Sequence, residues 1–414
     1  EVTFERMWGD LLPIGRDRAT GGYRRSPFGS AERECAAWYL EEAQRRHLDV
    51  ETDGQGNAVA WWRPPESTAA PGQPVADSVG DSPRGILVGS HLDSVDNGGA
   101  YDGPLGVISS FAAIDRLRAR GVVMSRPVGV ALFVEEEGSR FGVACLGSRL
   151  ATGLISPEEA GRLRDRDGTY LVDAMTAAGH EPRLGRSSLL DDVEAYVELH
   201  VEQGRDLADR GRAVAVASSS WAHGRWRFDF TGEPNHAGAT RMEDRHDPML
   251  TYAMTALAAN KQARLSGTRA TFGRVAVEPN ATNAIPERVS AWLDARGEDA
   301  RTVASLVETV TRQGEERAGR DGTALDVTEE SASPTVAFDA DLARRLAQVL
   351  DDAPVMATGA GHDAGILQLA GIRSAMLFVR NPTGISHSPE ETASADDCLA
   401  GVEALATVLE TLAT

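Results

Sequence analysis

Cysteine, lysine and long apolar runs are all scarce in this chain of 414 residues. The cysteines, Cys35, Cys145 and Cys398, are odd in number and far apart. That pattern argues against a disulfide framework or a cysteine-based zinc site and fits reduced, buried thiols. Any metal must then be held by histidine and carboxylate. Lys261 is the one lysine among 42 basic residues, a compositional bias without functional content. The 62 acidic residues set a formal net charge of -20 at pH 7, which argues against nucleic acid or an anionic membrane as partner. No window approaches roughly eighteen consecutive apolar residues, so no membrane-spanning helix is expected. The run Glu1 to Arg6 lacks the basic-then-apolar profile of a signal peptide, and the expected location is the cytoplasm.

The length suits two domains better than one. The stretch richest in chemistry is Gly89-Ser90-His91-Leu92-Asp93-Ser94-Val95-Asp96-Asn97-Gly98-Gly99-Ala100-Tyr101-Asp102-Gly103. It follows an apolar run, Ile86-Leu87-Val88, that reads as a buried strand. It precedes an amphipathic run from Leu105 to Arg120 that reads as a helix closed by Gly121. His91 thus falls at the carboxyl end of a strand, the edge at which open α/β sheets bind ligands. Asp93, two residues on, points to the same side of an extended chain and can orient the imidazole. Asp102 follows a loop containing Gly98 and Gly99 and can fold back toward the histidine.

The arrangement recurs. Pro127 to Val134 reads as a second buried strand running into Glu135-Glu136-Glu137-Gly138. A glutamate run is commonly a solvated helix face; at a strand end bounded by glycine, its carboxylates instead point into the crevice of His91. A third apolar strand ends at His200, followed by Val201-Glu202-Gln203-Gly204. From about Gly211 the pattern changes to strands over 213–218, 225–230, 271–277, 289–296 and 324–329, with helices over 248–265 and 300–317. This order predicts an inserted α+β domain with helices on one face of an antiparallel sheet. The parallel pattern then resumes through Ser374 to Val379, a loop carrying His387, and a closing helix from Ala395 to Leu412. Expected boundaries are 1–210 and 331–414 for two segments of one catalytic domain, with 211–330 inserted. Residues 63–84, rich in Pro, Ser, Ala and Gly, read as a mobile surface loop without chemistry.

His91, Asp102, Glu137, His200 and His387 are therefore candidate metal ligands at the strand ends and adjacent loops of one sheet. Two divalent ions sharing Asp102 as a bridge need about this set, with an open position for water. Zn, Mn, Co and Ni all suit such donors. Glu136, beside a ligand but not needed as one, is the natural general base for an attacking water and can return the proton to a leaving nitrogen.

The segments GSHLDSVDNGGAYDG, EEEGSRF, ELHVEQG, GEPNHAG, NATNAIP, GAGHDAG and GISHSPEE resemble, in order and spacing, the M20-type metallopeptidase superfamily. Within it they look like the carbamoylase branch: N-carbamoyl-L-amino-acid hydrolases, β-ureidopropionases and allantoate amidohydrolases. The resemblance covers nearly the whole chain. It implies an α/β fold, a three-layer αβα zinc-peptidase-like catalytic domain with an inserted α+β, ferredoxin-like domain acting as lid and dimerisation surface of a homodimer. It also implies one metal on His91, Asp102 and His200 and another on Asp102, Glu137 and His387. A histidine at the position of His200, where peptidase branches tend to carry a carboxylate, favours the carbamoylase side.

The resemblance further implies that His236 reaches the neighbouring subunit's active site and stabilises the oxyanion, its plainer reading being a turn residue. Asn283 and Arg296 match residues that hold the substrate carboxylate, a task suited to an arginine fork; one more surface arginine is the plainer reading of Arg296. Gln203 lines the site next to the metals, and His362 either lines the pocket or bonds locally. The implied substrate is a small ureido or carbamoyl compound bearing a carboxylate. The runs Gly21 to Arg25 and Arg380 to Pro389 look like actinobacterial sequences called allantoate amidohydrolase, so allantoate is the expected substrate and an N-carbamoyl-L-amino acid the alternative. A dinuclear exopeptidase would need a site for a free amino group. A non-catalytic relative would have lost a ligand or the base, and neither is missing.

Overall fold

A computed structural model describes residues 3–64 and 83–414, and the loop expected over 63–84 lies almost wholly outside them. The chain divides into two units, one of Glu1–Ser218 with Ala337–Thr414 and one of Ser219–Val336. Among the described residues no helix is long and apolar enough to cross a membrane.

The first unit is built on a nine-stranded sheet. Its order is Asp49–Thr52, Ala58–Trp62, Val128–Phe133, Gly85–His91, Val193–Val201, Arg373–Val379, Val214–Ser220 and Val336–Ala337, with Val355–Thr358 also paired to Val214–Ser220. The four strands from Val128–Phe133 to Arg373–Val379 run parallel, and the flanking pairs are antiparallel. These central strands are apolar nearly throughout because helices cover both faces. Alternation sorts their side chains: Ile86, Val88, Val197, Leu199, Leu377 and Val379 join one core, under the helices Ser30–Arg45, Pro104–Ala119 and Ala395–Ala413. Leu87, Tyr196, Met376 and Phe378 join the opposite core with Ala151, Ala364 and Leu367 from the helices Leu146–Thr152 and Asp363–Leu369. The result is the three-layer αβα architecture expected. By the same alternation His91 and His200 belong to the series of Leu87 and Tyr196.

The Pro104–Ala119 helix starts directly after Asp102 and Gly103, with proline at its first position, where no amide donor is needed. Every residue from Pro104 to Ile114 is buried. Farther along, Arg46 ties this helix to its neighbour: the guanidinium donates to Asp115 at 2.6 Å and to Glu42 at 2.6 Å and lies over the Phe111 ring.

The inserted unit has a four-stranded antiparallel sheet in the order Ala324–Ser333, Ala222–Thr231, Arg288–Gly297, Arg269–Glu278. With the helices Pro248–Ser266 and Ala300–Asp321 this makes the β-α-β-β-α-β sequence of a ferredoxin-like unit. Alternate residues Val289, Ala291, Leu293 and Ala295 face the core with Phe228, Phe230, Val303, Leu306 and Val310. Asp247 and Asp299 cap the two helices and left-handed Gly267 and Gly322 end them.

One expectation needs correction. The strand expected over 213–218 is not part of the insertion: Val214–Ser220 pairs antiparallel with Arg373–Val379, Val216 opposite Leu377, inside the first unit's sheet. The insertion consequently runs over Ser219–Val336.

Replacing Arg46 by methionine leaves the buried Glu42 carboxylate to the outer arginines Arg6 and Arg45. The variant is expected to lose about 3 kcal/mol of stability, read as a lower urea midpoint at unchanged slope.

Candidate metal centre

At the carboxyl ends of the parallel strands, Nε2 of His91 and Nε2 of His200 approach Oδ1 of Asp102 to 3.3 and 3.0 Å. The other oxygen, Oδ2, lies 3.4 Å from Nε2 of His387, which is 3.3 Å from Oε2 of Glu137. Two groups result, His91 with Asp102 and His200, and Asp102 with Glu137 and His387, the ligand atoms of each within 4.8 Å of one another. Asp102 belongs to both, one oxygen to each.

The donors fit a divalent cation. Nδ1 of His91 lies 3.2 Å from the Asp93 carbonyl and Nδ1 of His200 lies 2.8 Å from that of Val201, whereas both Nε2 atoms are buried without a hydrogen-bond partner. A neutral ring that donates its Nδ1 proton to a carbonyl presents the Nε2 lone pair to a cation. Burial disfavours charge on the His91 and His200 rings, and less so on His387, whose side chain is 45% exposed; the facing carboxylates outweigh it and hold His91 and His200 above the ordinary histidine value and His387 at about 11. Asp102 is correspondingly held well below the usual carboxylate range, its burial outweighed by His200, His387 and His91. Protons and cations therefore compete for the same nitrogens.

The other expected residues of the first unit gather here. Asp93 lies 3.4 Å from Nδ1 of His91 and accepts the backbone N–H of Glu136 and Glu137, both at 3.2 Å, so one carboxylate orients the ring and the glutamate run together. Glu136 sits 3.7 Å from Nε2 of His91, and burial pushes its carboxyl well upward, with Asp363, Glu137 and Asp102 adding to the rise and His91 opposing it. Gln203 donates to Oδ2 of Asp102 at 2.8 Å. His362 packs against His200 with ring centroids 4.4 Å apart and the rings tilted by 53°. Glu135 turns away: its carboxylate accepts the backbone N–H of Arg140 and Phe141, closing the turn after the strand.

Sequence reasoning missed several residues. Cys145, in left-handed conformation at a helix start, donates its thiol to Oε1 of Glu136 at 3.4 Å. Glu198, fully buried, accepts from Ser90 at 2.8 Å and from the Ala364 N–H at 2.9 Å. Asp363, also fully buried, accepts from Ser148. Spacing offered a signal for Glu198 alone, since it precedes His200 by two residues and shares its face of the strand.

The remaining expected residues lie in the inserted unit. His236 is exposed in a short ladder, Asn235–His236 against Ala284–Ile285. Its Nδ1 accepts the N–H of Gly238 and of Ala239, both at 3.0 Å, so the neutral ring carries its proton on Nε2. The carbonyl of Asn283 accepts from the Ala237 N–H at 3.0 Å, placing Asn283 beside His236. Arg296 stands near the far end of the Arg288–Gly297 strand and grips Asp294 through Nε at 2.7 Å and Nη2 at 3.0 Å. At about 3.4 Å per residue the strand keeps it about 25 Å from the His236 end.

Histidine and carboxylate donors gathered at the strand ends of a three-layer αβα fold make a candidate metal centre of the hydrolase kind. The chain belongs to Peptidase family M20/M25/M40, which matches residues 87–411. It is 35% identical over 420 residues to the N-carbamoyl-L-amino acid amidohydrolase of Geobacillus stearothermophilus, covering 97% of this chain and 96% of that protein. It is 31% identical over 334 residues to the allantoate amidohydrolase of Escherichia coli (strain K12), covering 79% of this chain and 81% of that protein. Among solved structures, the crystal structure of AtUAH in complex with glyoxylate is similar over 100% of this chain and 98% of that chain, with a TM-score of 0.87 at 26% identity. The chain is accordingly a hydrolase of amide C–N bonds, of the carbamoylase and allantoate type.

Gly103 has φ +83°, and a Cβ there would meet Cε1 and Nδ1 of His91 at 2.6 Å. Gly103→Ala is expected to weaken cation binding about tenfold or more, measured by zinc titration against a chelator. Stripping wild-type protein with a chelator is expected to lower its melting temperature. Readdition of zinc or manganese at about a hundred times its dissociation constant should restore about 2.7 kcal/mol, read by calorimetry.

Proposed function

We propose that the chain cleaves the C–N bond of a ureido or carbamoyl group on a small substrate bearing a carboxylate, first of all allantoate, releasing ureidoglycine, carbon dioxide and ammonia. The observation that carries this reading is the division of Asp102 between two donor groups with Glu136 alongside. In it, His91, Asp102 and His200 hold one divalent cation and Asp102, Glu137 and His387 a second. A cation there supplies Lewis acidity, lowering the pKa of water and polarising a carbonyl oxygen. Glu136 takes the proton of the water as its oxygen attacks the carbonyl carbon; as the C–N bond breaks, Glu136 returns that proton to the departing nitrogen. Burial raises the Glu136 carboxyl above the ordinary carboxylate value, the direction suited to a group that accepts a proton and then donates it. Asp93 and Cys145 hold the base and its neighbouring ring in place, while Gln203 and His362 line the pocket.

The inserted unit supplies the rest. His236 offers its Nε2 proton where charge develops on the carbonyl oxygen, and Asn283 and Arg296 bind the substrate carboxylate. Since Arg296 and the His236–Asn283 pair stand at opposite ends of one strand, a single copy cannot bring all three to one substrate, and the reading requires a homodimer. Surface features support it: Leu250, Met254 and Leu257 recur at helical spacing with 47%, 45% and 66% exposure. The ten-residue strand Arg269–Glu278 is an edge of its sheet. An apolar stripe with an open strand edge is a surface that a second copy covers by a two-fold.

The alternative substrate is an N-carbamoyl-L-amino acid, favoured by the similarity to the Geobacillus protein along the whole chain. Metal-loaded protein given allantoate, N-carbamoyl-L-amino acids, N-carbamoyl-β-alanine and a dipeptide is expected to release ammonia from allantoate; turnover of carbamoyl-amino acids instead would select the alternative. Glu136→Gln is expected to lower kcat about 10²–10⁴-fold at unchanged metal content. Leu257→Glu is expected to yield a monomer in sedimentation analysis, with activity lost alongside the dimer.

A further inference from the structure

Two of the candidate ligands come from opposite ends of the chain, and one side chain joins their loops. Glu391 is 5% exposed. Its Oε1 accepts the backbone N–H of Tyr101 at 2.8 Å and of Asp102 at 3.0 Å. Its Oε2 accepts the Ser386 hydroxyl at 3.0 Å, and that hydroxyl lies 3.4 Å from Oδ2 of Asp102. Gly99 closes over the same carboxylate, since a Cβ there would meet Oε1 at 2.3 Å. The loop before Asp102 is thus folded around Glu391, and the residue next to His387 is held by the other oxygen.

Among the described residues no cationic side chain forms an ion pair with Glu391. The first donor group depends less on this link, because His91 and His200 are carried by adjoining strands of the sheet.

We propose that Glu391 is the positioning residue of the centre, fixing Asp102 and the His387 loop against each other and so setting the affinity of the Asp102–Glu137–His387 group for its cation. The proposal rests on the two-cation reading given above. Its geometry asks only that Glu391 act through backbone N–H groups and Ser386, without touching cation or substrate.

The test is metal stoichiometry and affinity, by elemental analysis and by zinc titration of the full chain against a chelator, for wild type, Glu391→Gln, Ser386→Ala and the adjacent, exposed Glu390→Gln. Wild type is expected to take up two equivalents. In Glu391→Gln the weaker step should fall about 10–100-fold and the tighter step by less than about threefold. Ser386→Ala should shift the same step by less, and Glu390→Gln neither. Activity of Glu391→Gln should return as zinc is raised, which a general loosening of the fold would not allow. Two steps of wild-type affinity in Glu391→Gln, or equal weakening of both, would overturn the proposal. Should that variant not fold, Ser386→Ala decides it, an unshifted weaker step being the overturning result. A single equivalent in wild type would instead remove the two-cation reading on which the proposal rests.

Discussion

The structure of the first unit depends on one buried carboxylate being presented to two sets of nitrogens at once. Taking a lone carboxylate out of water costs several kcal/mol, and Asp102 is 6% exposed. What makes its position tolerable is the convergence of three imidazoles, and that convergence is a property of the sheet. Neighbouring parallel strands stand about 4.8 Å apart, so rings placed on the same face at the ends of Gly85–His91 and Val193–Val201 meet, with centroids 6.0 Å apart. The spacing of the sheet sets the spacing of the first donor pair.

Around that pair the protein has collected carboxyl groups and given them neutral partners. Burial raises Glu135, Glu136, Glu198, Asp363 and Glu391 alike, Glu135 and Asp363 to about 8. Serines recur as their donors: Ser90 to Glu198, Ser148 to Asp363, Ser386 to Glu391.

How far the site was legible follows from how its residues are carried. His91, His200 and the glutamate run end apolar strands, and a strand's period and boundaries are local properties that a sequence displays. Asp102 and His387 sit on loops and were legible through the motifs around them. Glu391, Cys145 and Asp363 act through partners 289, 9 and 215 residues away, and no local pattern encodes such a pairing. The same limit explains the strand Val214–Ser220. A run of small residues, Val-Ala-Val-Ala-Ser-Ser-Ser, shows that a strand forms but not which sheet it joins. Its partner, Arg373–Val379, lies beyond the whole insertion.

That strand order has a consequence for how the chain comes together on the ribosome. The inserted unit leaves the large sheet through Val214–Ser220 and returns through Val336–Ala337, which are neighbours in it. Its own first and last strands, Ala222–Thr231 and Ala324–Ser333, are neighbours too, with His223 opposite Ser333. The covalent crossings therefore match, and the insertion can close on itself while tethered. The large sheet cannot: Arg373–Val379 belongs between two strands made more than a hundred residues earlier, so the middle of the sheet is the last part to be synthesised. Until it arrives, Val193–Val201 has an open edge, whereas the insertion already holds all the strands of its own sheet. The site at the strand ends is thus completed only by the last part of the chain, which carries Arg373–Val379 and His387.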